Sequence, residues 1–160
     1  MQQYGTKSNR QNIKKIRING NIGIESFANC TKLSKVYIGE NITSIKEGAF
    51  RECKRIKHIN IPHSVTSIEK NAFRNCVSLS KISTPFFMRV ISSNTFENCK
   101  NLKSVETHAV NVSIEKFAFR NCSSLTTIKV FDKNVKLVID EEAFSGLGKG
   151  QVEIITVKNE

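Results

Sequence analysis

The sequence repeats one pattern of residues at an interval of 23 positions. A cysteine recurs at that interval, with a phenylalanine three residues before it and a leucine or isoleucine three residues after it. The cysteines are Cys30, Cys53, Cys76, Cys99 and Cys122, and the phenylalanines are Phe27, Phe50, Phe73, Phe96 and Phe119. So regular a spacing over five copies indicates that one structural unit is stacked repeatedly along the chain.

The first half of each unit predicts a short β-strand followed by a turn. In one copy, the apolar residues Val36 and Ile38 alternate with residues that are not forced inward, which is the period of a strand. The turn is marked by Gly39 in this copy and by Pro62 and Pro85 in the next two. Strands that lie one unit apart run in the same direction, so the pattern predicts a parallel sheet.

The second half of each unit predicts another short strand and a helical turn. Ile42 and Ile45 form a second apolar pair, and their β-branched side chains favour a strand. Phe50 and Cys53 are three residues apart, a spacing that places both side chains on one face of a helical turn. One unit is too small to bury these side chains, but stacked units bury all of them in one continuous core.

The repeats predict a single domain over residues 1–160, with a basic polar segment at 1–15, repeats at 16–147 and a terminal strand or partial cap at 148–160. About six repeats stacked about 4.8 Å apart give a solenoid roughly 30 Å long. The open ends of such a stack carry unpaired strand edges, so self-association through the ends is a further expectation.

The cysteines are predicted to be free, buried and reduced. Their number is odd, so not all of them can pair within the chain, and none belongs to a CxxC motif. Parallel strands one repeat apart hold equivalent Cβ atoms about 4.8 Å apart, beyond the usual range for a disulfide. A metal site would need several ligands at one point, whereas these thiols form a line. No metal and no cofactor is therefore expected.

The formal net charge of the chain is +11, and five basic residues stand within the first twenty positions. A basic excess favours acidic partners such as nucleic acid, anionic glycans or acidic proteins. The alternative is a soluble surface with a basic N-terminal tail, because the other lysines and arginines are interspersed with acidic residues.

The repeat resembles the BspA-like family of leucine-rich repeats. The segments at 45–53 (IKEGAFREC) and 59–68 (INIPHSVTSI) carry the resemblance almost residue for residue. It implies a right-handed leucine-rich-repeat horseshoe of about six 23-residue repeats, with a parallel β-sheet on its concave face and second short strands and short helical turns elsewhere. The departures are Thr95, which replaces an alanine, and Asn111, which stands where an apolar residue is expected.

The resemblance also implies a function. Members of this family are surface or secreted proteins that attach to host proteins, to other cells or to matrix, and they carry no catalytic motif. A cell-surface or secreted location is therefore expected from the resemblance, although the chain shows no signal or anchor segment of its own. A fold likeness does not identify a ligand.

The strand pattern places two columns of side chains outward on the concave face. Because these positions vary while the core columns do not, they are the candidate contacts for a protein partner. They include Lys35, His58 and Lys81 in one column, and Tyr37, Asn60, Ser83, Glu106 and Lys129 in the other. The alternative is an ordinary solvated sheet face.

A loop supplies the remaining candidates. Phe86 and Phe87 stand where other repeats have polar residues, and Phe131 is equivalent to Pro85 two repeats later. Exposed aromatic residues often mark contact sites. The alternative is that these rings fold back and complete the core, as Met88 is expected to do.

Other functions compete with protein binding. A polyanion-binding or nucleic-acid-binding solenoid would need a continuous basic stripe, and Glu106 interrupts it. A structural spacer domain is another alternative. Catalysis is not expected, because no carboxylate or cysteine nucleophile is placed beside any of the three histidines.

The N-x-[ST] sequons at Asn29, Asn41, Asn111 and Asn121 match the short pattern of N-glycosylation sites. The side chains of Asn29 and Asn121 are expected instead to bond turn backbone groups.

Overall fold

The computed structural model describes residues 10–131 and 134–157. The strands in these ranges are β1 (Lys15–Ile18), β2 (Lys35–Ile38), β3 (Ser44–Ile45), β4 (Ser67–Ile68), β5 (Lys81–Thr84), β6 (Val90–Ile91), β7 (Ser104–Thr107), β8 (Asn111–Ile114), β9 (Thr127–Val130), β10 (Lys136–Ile139) and β11 (Glu153–Thr156). Every strand pairing among them is parallel. The predicted parallel solenoid of about six repeats is confirmed.

The strands form two stacks, one for each strand of the repeat. The first strands make a two-stranded sheet, β1-β2, and a four-stranded sheet in the order β11-β9-β7-β5. We call their outward side, with residues 57–61 between β2 and β5, the concave face. The second strands make the sheets β3-β4 and β10-β8-β6. Equivalent residues pair directly, so that Val105 faces Ile82 on one side and Ile128 on the other.

The predicted helical turn is a single tight turn rather than a regular helix. The amide of Cys53 donates to the Phe50 carbonyl oxygen at 3.1 Å, which is a bond to the third residue before it. The amide of Phe50 meanwhile donates to the Ala72 carbonyl oxygen of the next repeat at 2.8 Å. The turns are therefore held both within a repeat and between repeats, and they fix the spacing on this side of the solenoid.

A column of phenylalanine rings runs through the core. The rings stack nearly parallel, with centroids 5.3 Å apart for Phe27 and Phe50 and 5.7 Å apart for Phe73 and Phe96. Phe144 extends the column at 5.6 Å from Phe119, and its own ring is half-buried. The 25-residue step from Phe119 to Phe144 thus keeps the ring in register.

The five cysteines are free and fully buried, as predicted. Each later thiol donates to a phenylalanine carbonyl oxygen of the preceding repeat, as Cys76 Sγ does to Phe50 O at 3.2 Å and Cys122 Sγ to Phe96 O at 3.0 Å. Burial raises the pKa of Cys76 and of Cys122 to about 12. These thiols therefore act as small buried donors, a role that a purely apolar residue would not fill.

A second column, of asparagine side chains, lies beside the cysteines. Asn121 donates to the Asn98 side-chain oxygen at 3.0 Å, Asn98 donates to that of Asn75 at 2.8 Å, and Asn75 donates to Glu52. All four residues have φ near +60°, a conformation that asparagine tolerates better than most residues. The prediction that Asn121 bonds backbone groups is therefore wrong, because its side-chain amide pairs with a side chain one repeat away.

Two buried threonine hydroxyls lack a hydrogen-bond partner among the described residues. Thr84 and Thr107 point inward from the first strands and are almost fully buried. The equivalent positions in other repeats carry Ile61 and Val130. An unpaired buried hydroxyl costs about 1–3 kcal/mol. The two threonines therefore weaken a column that is otherwise apolar.

Replacing Thr107 with valine, which has the same shape, is expected to raise the free energy of unfolding by about 1–3 kcal/mol. Urea denaturation followed by circular dichroism measures the change. Thr127→Val, on the outward side of β9, is the control and is expected to stay within about 0.5 kcal/mol of the parent. An equal gain in both variants would show that strand propensity, rather than the unpaired hydroxyl, is responsible.

Candidate functional site

The concave face presents the side chains that the strand pattern places outward. Lys35 and Tyr37 project from β2, and Tyr37 is 42% exposed. The other predicted residues are exposed or half-exposed as well: His58, Asn60, Lys81, Ser83, Glu106 and Lys129. The structure therefore brings all of these candidates onto one surface, where their role in binding stays a prediction.

The parallel ladder of this face is interrupted at its third repeat. Within the described part of the chain, residues 57–61 form no strand, and no backbone hydrogen bond joins them to β2. They keep one backbone–backbone bond to the next repeat, from Ser80 N to Lys57 O at 3.1 Å, and the Ser80 hydroxyl also donates to Lys57 O at 3.2 Å. Pro62 contributes to the interruption, because it has no N–H and cannot make the bond that Gly39 makes to Ile18 O one repeat earlier.

A groove of about 490 Å³ occupies this interruption, and we call it the sheet gap. Its lining residues are Ser34, Lys35, Val36, Tyr37, Arg55, Lys57 and His58. Core residues beneath it are slightly exposed, at 8% for Val36 and Ile59, compared with 0% for Val105 and Ile128 in the unbroken sheet. The sheet gap thus exposes a strip of apolar floor between polar edges.

Positive charge is concentrated around the sheet gap. No ion pair is formed within the described ranges by Lys35, Arg55, Lys57, Lys15 or Arg17. β1 and β2 pair so that Lys15 lies directly beside Lys35, and like charges in that relation destabilise a sheet.

Lys15, Arg17, Arg55 and Lys57 were not among the predicted site residues. The sequence places Lys15 at the end of the basic segment at 1–15 and Arg17 at the start of the repeats, but both belong to β1 and lie over the Tyr37 ring at 5.3 and 5.4 Å. The signal for them was present, because Ile16 and Ile18 repeat the alternation of the next strand.

The far half of the concave face is neutralised by an ion-pair cluster. Lys81 Nζ lies 2.8 Å from Glu106 Oε1, and Lys129 Nζ lies 3.6 Å from the same oxygen. Partial burial opposes ionisation of Glu106, but the hydrogen bond and charge of Lys81, with those of Lys129, outweigh it and lower the pKa of that carboxyl group. Among the described residues, the strand cations Lys81 and Lys129 are therefore paired, whereas Lys15, Arg17 and Lys35 of β1 and β2 form no ion pair.

The aromatic loop is exposed. Phe86 and Phe87 are 49% and 61% exposed and pack edge to face, with their centroids 5.3 Å apart. Met88 is buried, as predicted. Phe131 instead stacks on His108 at 4.3 Å. The alternative in which Phe86 and Phe87 complete the core is therefore wrong.

The described residues contain no cluster of side chains suited to hold a metal ion. They also contain no helical stretch with the length and apolar character of a membrane span.

Three of the four sequon asparagines are exposed, namely Asn29, Asn41 and Asn111, and Asn121 is half-buried.

Comparison with protein families matches the BspA type leucine rich repeat region, in six copies, over residues 8–149. The chain belongs to the BspA-type leucine-rich repeat family. The resemblance inferred from the repeat is thereby confirmed. The family fold is a scaffold of the kind used for protein interactions and is typically non-catalytic. No curated protein matches the sequence.

Three solved structures show the same fold in bacterial proteins. A leucine-rich repeat protein of T. pallidum is 22% identical, with a TM-score of 0.63 over 91% of this chain and 73% of that one. The pneumococcal vaccine antigen PcpA is 19% identical, with a TM-score of 0.67 over 92% of this chain and 42% of its own. A leucine-rich cell surface protein of Faecalibacterium prausnitzii is 25% identical, with a TM-score of 0.55 over 74% of this chain and 39% of its own. The BspA-type repeats described here thus span less than half of two of these proteins.

Proposed function

We propose that this BspA-type repeat region is the ligand-binding part of a cell-surface or secreted adhesin, and that it holds a host or matrix protein on its concave face. The observation that carries the proposal is the group of exposed residues around the sheet gap, where Lys35, Tyr37 and His58 line one groove above the buried core. Enrichment in tyrosine and arginine is typical of protein interfaces. The similarity to a cell surface protein and to a vaccine antigen supports a surface role.

The aromatic loop is a second candidate surface on the same molecule. Phe86 and Phe87 expose much of two large apolar rings, and buried aromatic side chains supply much of the energy of many interfaces. The two candidates involve different residues, so substitutions can test them separately.

The test uses the intact chain, immobilised, and a panel of purified extracellular matrix proteins, with binding measured by surface plasmon resonance. One variant combines Lys35→Ala, Tyr37→Ala and His58→Ala, and the other combines Phe86→Ala and Phe87→Ala. We expect the first variant to lose at least tenfold in affinity for any matrix protein that the parent binds, since it removes side chains at the centre of the site. The second is expected to bind as the parent does.

Unchanged capture by the first variant would contradict the proposal, and loss in the second variant alone would move the site to the aromatic loop. A polyanion-binding solenoid predicts a different result: heparin or DNA would bind, and affinity would fall steeply between about 50 and 200 mM salt. A spacer domain predicts no binding by either surface.

A further inference from the structure

The sheet gap combines an open strand edge with unpaired positive charge. We infer that it binds an extended, acidic peptide segment of the partner protein, which lies along β2 and bonds to its free edge. This inference rests on the proposed function and deepens it, because it names the chemistry of the segment that the concave face recognises.

The open edge provides the first part of the recognition. In the described chain, β2 pairs with β1 on one side only, and its other side faces residues 57–61 without a backbone hydrogen bond. Free N–H and C=O groups of a strand edge are a template for another strand, and peptides commonly bind in this way. Their spacing of about 3.3 Å per residue is that of an extended peptide.

Charge complementarity provides the second part. Lys35 and Lys57 stand on opposite sides of the sheet gap, and Arg55 lies beside Lys57. None of the three is paired with a carboxylate of the described chain. A carboxylate placed between them gains charge-assisted hydrogen bonds and relieves the repulsion among the cations.

The floor of the sheet gap indicates the sequence of the peptide. Val36, which lines the sheet gap, and Ile59 and Ile61, which lie in the unpaired segment 57–61 beside it, are 7–8% exposed. Successive side chains of an extended peptide point to opposite sides. A segment in which acidic residues alternate with small β-branched residues therefore directs one set to the basic edges and the other set to the apolar floor.

A nucleic acid fits this site less well than a peptide. Bases bind to proteins largely by stacking on aromatic rings, and the aromatic ring of the sheet gap, Tyr37, already carries Lys15 and Arg17 near its face. A flexible anionic glycan would satisfy the charges but would not match the regular spacing of the strand edge.

Fluorescence anisotropy with a labelled octapeptide of alternating glutamate and valine tests the inference on the intact chain. The peptide is expected to bind, and its glutamine counterpart is expected to bind at least tenfold more weakly. A third peptide with the same charges, N-methylated at alternate residues so that it lacks those N–H donors, is expected to bind at least fivefold more weakly. Equal binding of the N-methylated peptide would overturn the role of the strand edge.

Two protein variants with the same net charge locate the site. Lys35→Glu with Lys57→Glu is expected to weaken binding of the acidic peptide at least tenfold. Lys136→Glu with Lys149→Glu is the control, because it replaces two exposed lysines that lie away from the sheet gap and changes the net charge by the same amount. The affinity of this control for the acidic peptide is expected to stay within twofold of the parent. Equal losses in both variants would show attraction by net charge alone and would overturn the inference.

The matrix-protein assay separates this inference from the proposed function. If the substitution of Lys35, Tyr37 and His58 abolishes capture of a matrix protein while no acidic peptide binds the parent, the concave face is a protein-binding surface and the acidic-segment inference is wrong. Heparin that binds at the sheet gap as tightly as the peptide, with no effect of N-methylation, would identify a polyanion site instead.

Discussion

Replacing Phe73 with alanine is expected to lower the free energy of unfolding by about 3–5 kcal/mol, the usual cost of deleting a fully buried phenylalanine ring. Phe73 lies between Phe50 and Phe96 at centroid distances of 5.4 and 5.7 Å. The void cannot close readily, because the Phe73 amide is held to Thr95 O at 2.9 Å in the next repeat. A loss of this size is a large part of the roughly 5–15 kcal/mol that stabilises a typical domain.

The control removes the same chemical group from the surface. Phe86→Ala combined with Phe87→Ala deletes two rings that are 49% and 61% exposed, and its unfolding free energy is expected to change by less than about 1 kcal/mol. Urea denaturation with circular dichroism measures all three proteins. A loss for the loop pair as large as that for Phe73 would show that the loop rings are packed into the structure.

The core was predictable from the sequence because stacking relates residues one to one. A residue in one repeat contacts its equivalent in the next, so the 23-residue interval determines the phenylalanine and cysteine columns without further information. This alignment alone predicts that Met88 points into the interior, and Met88 is buried. The same alignment placed Lys35, Tyr37 and their equivalents outward on one face.

The sheet gap was not predictable in the same way. Residues 57–61 follow the strand pattern as closely as β2 does, since Ile59 and Ile61 align with Val36 and Ile38. Whether two such segments pair depends on backbone geometry between repeats, which side-chain periodicity does not report. Pro62 gave a partial signal, because a proline removes a ladder donor, but the sequence alone identifies it equally well as a turn residue.

The charged part of the candidate site was missed for a different reason. The first repeat is shortened, so that Lys15 and Lys35 are paired although they are 20 residues apart rather than 23. A strict 23-residue alignment leaves Lys15 and Arg17 out of the outward columns, although Arg17 lies within the repeats at 16–147. The fold places these two cations of β1 beside Lys35 and Tyr37 of β2, an addition to the concave face that the column alignment does not show.

The asparagine column makes the second large prediction. Asn98→Ala is expected to lower the free energy of unfolding by about 3 kcal/mol. At φ +59°, the left-handed conformation costs an alanine residue roughly 1–2 kcal/mol. The variant also loses two side-chain hydrogen bonds, each of which contributes about 1 kcal/mol. These are the bonds to Asn75 at 2.8 Å and from Asn121 at 3.0 Å.

Asn98→Gly separates the two contributions, because glycine adopts a positive φ without strain but cannot form either bond. The glycine variant is therefore expected to be about 1 kcal/mol more stable than the alanine variant, although glycine is normally the more destabilising residue within regular structure. Chemical denaturation of the parent and both variants under the same conditions measures the order. If glycine proves the more destabilising of the two, the conformational contribution is wrong, whereas a loss below about 0.5 kcal/mol for both would show that the column of amides contributes little to stability.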